Sequence, residues 1–127
     1  MSIRTDLATE LKEDIGYIPE GVEHEEEQHR GFRLTRIRIL TENGVRVMKK
    51  PIGSYVTVDL AMPAAQMLPK ERQRITKRCA RELSEMIYDT EGDILIIGLG
   101  NRNVTADSLG PKVCEKVFVT RHIIKHI

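Results

Sequence analysis

At 127 residues, 40% hydrophobic and 31% charged, the chain has the length and composition of one ordinary globular domain, which excludes a disordered chain. Lys and Arg number 20 against 19 Asp and Glu, and a net charge of +1 gives no reason to expect nucleic acid or an anionic membrane as partner. With two lone cysteines, Cys79 and Cys114, no C-x-x-C pair and no membrane-length apolar run, the plain reading is a reduced cytosolic chain with free thiols.

In chain order, Ile3–Asp14 reads as a helix, with Thr5 as cap and Leu7 and Leu11 on one face. Gly16, Pro19 and Gly21 break it. The acidic stretch Val22–Arg30 is expected to be a solvated loop or weak helix. Gly31–Leu40 alternates: Phe32, Leu34, Ile37 and Ile39 are apolar, with Arg33, Arg36 and Arg38 between them. A slip at Thr35 predicts a bulge. Thr41–Gly44 (TENG) is a turn signal and Val45–Met48 resumes the alternation, so a hairpin is predicted there. Ser54–Leu60 is a third strand, giving an antiparallel region on the N-terminal side.

Pro63 and Pro69 punctuate the next segment, and Lys70 to Tyr88 reads as one helix. Ile75, Cys79, Leu83, Met86 and Ile87 recur at helical spacing, and the basic run Pro69–Arg81 is expected to be solvated. Asp93–Ile97 (DILII) is an unbroken apolar run, which predicts a buried strand. A glycine-rich loop, GLGNRNVTADSLGP (Gly98–Pro111), leads into a helix from Gly110 to about Ile124, with Pro111 in its first turn. Helix, strand, loop and helix make half of an α/β unit, so the predicted class is α/β. A parallel strand needs neighbours on both sides, and the stop at Ile127 predicts that the chain is part of a longer protein.

The loop is the best candidate for chemistry, because ligands of open α/β sheets bind at the carboxyl ends of strands. A dinucleotide site fits poorly: Gly98 and Gly100 start G-x-G-x-x-G, but Asn103 holds the third position and Thr120 and Arg121 stand where the ribose acid belongs. Ser108 lacks one flanking glycine of a nucleophile elbow and would need His122 or His126 from the following helix. Those two histidines lack the glutamate of H-E-x-x-H and, with Lys125, suit a helix C-terminus. His24 and His29 beside Glu25–Glu27 read as solvated. Asp107 remains. A lone aspartate is a poor acid–base catalyst near neutrality and needs a second carboxylate, a metal or a base. It could instead cap the following helix; spacing alone leaves both readings open.

The loop resembles the signature loop of the germination proteases of spore-forming bacteria, endopeptidases that degrade small acid-soluble spore proteins. IRTDLATE (Ile3–Glu10) is similar to the place where the family's propeptide ends, which implies a processing region at Ile3, Arg4, Thr5 and Asp6. VTRHIIKH (Val119–His126) is similar to the family's stretch after the signature helix. The match covers only the N-terminal part of a family member. Hydrogenase-maturation endopeptidases share G-x-G-N, the acid (there a nickel ligand) and Gly-Pro; the RTDLA and VTRH matches favour the spore enzyme.

The resemblance implies a three-layer α/β fold of the phosphorylase/hydrolase type, with residues 1–127 a single domain of a longer peptidase. It implies an atypical aspartic mechanism in which Asp107 is one of two catalytic carboxylates. The second lies on a later strand without counterpart in this chain, so the 127 residues alone are expected to be inactive. Gly98, Gly100, Asn101, Thr105 and Gly110 would hold the loop, with oxyanion contacts from Asn101, Thr105 and the amides of Gly98–Gly100. Most members have proline and alanine where this chain has Ala106 and Ser108. No metal or cofactor, nucleic acid or membrane is implied. The family is made as an inactive zymogen in the forespore, forms homotetramers and acts in the spore core cytoplasm. The basic face Lys70–Arg81 would attract the acidic cleavage motif of its substrates. Only Met1 and Ser2 precede Ile3, so the propeptide is expected to be very short or missing. The competing readings are a nickel-dependent maturation peptidase and a non-catalytic degenerate domain.

Overall fold

Strand β2 (Phe32–Ile39) organises the computed structural model, which describes residue 8 and residues 14–120. It is the centre of a three-stranded antiparallel sheet, between β1 (Val22–His29) and β3 (Gly53–Leu60). The turn Arg30–Gly31 joins β1 to β2, with Gly31 at φ 92, a conformation that carries no steric penalty only in glycine. Between β2 and β3 lies helix α1 (Glu42–Met48), and after β3 a 3-10 turn (Ala64–Gln66) leads to helix α2 (Pro69–Ile87). The structure divides into two units at Met86/Ile87. The second holds an irregular segment, a 3-10 turn (Thr105–Asp107) and helix α3 (Leu109–Lys116). The described residues are therefore mixed α/β with an antiparallel sheet. Among them no helix is long and apolar enough to cross a membrane.

The pairing of β2 explains its odd hydrophobic pattern. Alternate residues of a strand face opposite sides. Ile37 and Ile39 point to one face, where they pack with Val22, Met48 and Ala8, with Tyr55, Val45 and Ile15 at the margin. Phe32 and Leu34 point to the other face and are also buried. The slip at Thr35 is thus a change of face. No bulge forms, since the register runs unbroken from Val22↔Ile39 to His29↔Phe32 and from Phe32↔Leu60 to Ile39↔Gly53. Thr35 itself is buried, and its hydroxyl has no hydrogen-bond partner among the described residues.

Two further expectations in this unit are corrected. Val22–His29 is a strand, neither loop nor weak helix. Glutamate is a poor strand former, but Glu23, Glu25 and Glu27 share one face, and the first two stand opposite Arg38 and Arg36. Those cross-strand pairs are ion pairs, Glu25–Arg36 at 3.2 Å and Glu23–Arg38. Val45–Met48 belongs to helix α1, so the hairpin is β1–β2. The TENG signal marks a helix start: the Thr41 hydroxyl accepts a hydrogen bond from the Gly44 amide at 3.3 Å, and Thr41 has the extended backbone of an N-cap. Ser54–Leu60 lies within β3 as expected.

Helix α2 matches its predicted extent but not its predicted buried face. Ile75 and Cys79 are half-buried, whereas Leu83, Met86 and Ile87 are exposed, and the residue most deeply buried is Glu82. Arg36 explains this. Its guanidinium takes both Glu82 oxygens, at 2.7 and 2.5 Å, and reaches Glu27 at 2.6 Å. From α2, Arg78 pairs with Glu27 at 3.1 Å and with Glu82. The acidic and basic runs, both expected to be solvated, thus meet over the sheet. Burial pushes the Cys79 thiol up from its ordinary pKa.

In the second unit Asp93–Ile97 is not a strand. It joins no sheet among the described residues, and Ile94, Leu95, Ile96 and Ile97 are all exposed. An apolar run becomes a buried parallel strand only when neighbouring strands and helices cover it. Helix α3 ends at Lys116, short of Ile124, because Val117 turns extended at φ −70 and ψ 127. Residues 3–13, and with them the processing residues Ile3, Arg4, Thr5 and Asp6 and most of the helix expected there, lie outside the described residues except for Ala8. So do His122 and His126.

Candidate active site

The glycine loop folds onto itself, and its glycines are the reason it can. A Cβ on Gly98 would collide with the Gly110 carbonyl and lie 2.6 Å from Cys114 Sγ. One on Gly110 would strike Leu99, and one on Gly100 would strike the Asp107 carbonyl. Gly100 also sits at φ 140, a backbone region that side chains disfavour. Gly98, Gly100 and Gly110 are therefore three points of close backbone approach across the loop.

Hydrogen bonds complete the frame. The Asn101 amide donates to the Asp107 carbonyl at 2.8 Å, closing the loop where Gly100 packs. The Asn101 side-chain oxygen accepts from the Asn103 amide at 3.0 Å, a local Asx turn. Val104 N–H donates to Asn101 C=O at 3.1 Å, and Asp107 N–H to Val104 C=O at 2.9 Å. Thr105 opens the 3-10 turn, and its carbonyl accepts from the Ser108 hydroxyl at 3.0 Å. An ion pair between Arg102 and Glu115 ties the loop to α3.

Asp107 ends that turn and is exposed. Its carboxylate lies over Gly100, with Oδ1 3.3 Å from where a Cβ would stand. Asp107 does not cap α3: the N-cap is Ser108, and no side-chain cap bond forms. Among the described residues the carboxylate has no hydrogen-bond partner, which leaves both oxygens open to water or substrate. The Ser108 hydroxyl, 2% exposed and committed to Thr105, has no freedom to attack anything. The Asn101 side-chain oxygen and the Thr105 carbonyl are engaged in the loop's own hydrogen bonds. Among the described residues no three His, Cys, Asp or Glu side chains converge as a metal site.

Residue-level reading missed one cluster, Glu25, Glu27, Arg36, Arg78 and Glu82. Three Arg36/Arg78 contacts and His29 at 3.0 Å hold Glu27 down to about pKa 2. Glu82 is lowered too, chiefly by Arg36, and Arg36 is raised by Glu82. The signal was present as Glu at alternate positions of 23–27 and Arg at alternate positions of 36–38.

Comparison with known proteins bears on the loop and on the whole chain. A family model described as germination protease matches residues 4–127. The chain is 39% identical over 133 residues to a germination protease of Clostridium tetani, covering 100% of this chain and 41% of that protein. A germination protease of Caldanaerobacter subterraneus is 40% identical over 126 residues, with 97% and 38% covered. One of Bacillus cytotoxicus is 35% identical over 135 residues, with 98% and 36% covered. The chain spans about two fifths of the length of these curated relatives.

Proposed function

The chain belongs to the germination protease family, and we propose that it is the N-terminal part of an endopeptidase that cleaves small acid-soluble spore proteins during germination. Asp107 is one of its two catalytic carboxylates. The observation that carries this reading is an exposed, unengaged carboxylate on a loop whose backbone is fixed by glycine packing and by the Asn101 bond. Fixed geometry is what acid–base catalysis needs.

In this reading the mechanism is of the aspartic type. One carboxylate takes a proton from water as the water oxygen bonds to the scissile carbonyl carbon. The other protonates the leaving amine as the C–N bond breaks. Two carboxylates sharing one proton have their pKa values pushed apart, which supplies an acid and a base together. The partner carboxylate comes from the part of the protein beyond these residues. Asp93–Ile97 would become an inner strand of a three-layer α/β domain continuing past Ile127, which would place Asp107 at a strand's carboxyl end. The family's zymogen, its homotetramer and its site of action in the forespore and spore core belong to the same proposal.

The test is Asp107→Asn in the complete peptidase, with a small acid-soluble spore protein as substrate. Cleavage should fall by at least about 10²-fold, the usual scale for a lost acid–base group, with the circular dichroism spectrum unchanged. Turnover that survives in a folded variant removes Asp107 from the mechanism.

A further inference from the structure

Taking Asp107 as a catalytic carboxylate, we infer that Ser108 is its positioning residue: the buried hydroxyl locks the 3-10 turn that presents the aspartate. A serine at a helix N-cap normally turns its oxygen forward to accept from the first amides of the helix. Ser108 holds the N-cap position of α3, yet makes no such bond. Its hydroxyl points backward and donates to the Thr105 carbonyl at 3.0 Å, while its own carbonyl accepts from Lys112 N–H at 3.1 Å. One residue thereby couples the turn bearing Asp107 to the helix behind it.

Nothing else on the turn does this. Thr105, Ala106 and Asp107 are all exposed, and Ala106 neither fixes its own φ nor packs. The Asp107 backbone is held by its amide bond to Val104 and by the Asn101 amide on its carbonyl. The Thr105 carbonyl, at the other end, is held by the serine. Ser108 is 2% exposed, so water cannot readily replace the lost donor.

The experiment measures kcat, KM and pH profile on a small acid-soluble spore protein, using the complete peptidase. Ser108→Ala should lower kcat by about 10- to 100-fold, the scale of a small misplacement of a reacting group, with KM little changed and the pH profile displaced. Ser108→Cys keeps the volume but offers only a weak donor, so it should fold and show the same loss. Ala106→Pro combined with Ser108→Ala should regain most of kcat, because proline fixes φ near the 3-10 value. Full turnover with an unshifted profile in folded Ser108→Ala or Ser108→Cys, or a double variant as slow as the single, overturns the inference while Asp107→Asn stays inactive. Activity in Asp107→Asn would instead overturn the reading of Asp107 on which it rests.

Discussion

Arg36 is where the residue scale matters most. Its side chain is 20% exposed and that of Glu82 only 5%, so this pair is far from an ordinary surface ion pair. Removing one partner of a buried pair leaves an uncompensated charge, which is what makes such clusters costly to break. Glu27 adds a pH dependence. Its pKa is about 2 in the fold against an ordinary 4.5. An acid whose pKa is lowered by folding contributes stability that is complete above its unfolded pKa and lost as pH falls through the folded one. The urea midpoint of the chain should therefore decline between pH 4.5 and about 2, and Glu27→Gln should flatten that decline. An equally steep fall in the variant would show that other carboxylates dominate. The cluster was only half legible: glutamates at 23, 25 and 27 and arginines at 36 and 38 are visible in the letters, but a glutamate as the buried face of α2 is not. Helical periodicity ranks apolar residues and cannot register that two arginines neutralise Glu82.

For the elements, legibility depended on whether a local signal had one meaning or two. β2, β3 and α2 were read correctly in kind because alternation or 3.6-residue spacing runs on for several residues. TENG has two meanings, since Thr, Asn and Gly both make turns and start helices. Here capping prevailed, with Gly44 and Met48 buried against the sheet. Thr41→Ala should cost about 1 kcal/mol, the typical value of a lost N-cap oxygen, read as a drop in unfolding free energy with an unchanged denaturant slope. No measurable change would mean that packing alone sets α1. At Gly98–Pro111 the glycines announce a loop but not its path: the close backbone approaches that demand glycine at Gly98, Gly100 and Gly110 appear only in the structure.

On the scale of the whole molecule the family was legible from the loop, while the state of Asp93–Ile97 was not. Whether an apolar run becomes a strand depends on what pairs with it, and that partner is no property of the run. In the 127-residue chain the amides of Ile94–Ile97 should exchange with deuterium at close to open-peptide rates. In the complete peptidase they should be strongly protected. Equal exchange in both would remove this segment from the proposed sheet. The strand order β1-β2-β3 carries one more consequence, for self-association. Among the described residues β1 and β3 are each hydrogen-bonded on one side only, and open edges of this kind invite strand addition by another chain. The β1 edge bears Glu23, Glu25, Glu26 and Glu27, but three of these are already paired with arginines, Glu23 with Arg38, Glu25 with Arg36 and Glu27 with Arg36 and Arg78. The β3 edge carries Tyr55, Val56 and Val58, and its acid, Asp59, is paired with Arg33. Against strand addition the described residues thus offer little charge on either edge, Glu26 being the one β1 glutamate without an ion pair among them.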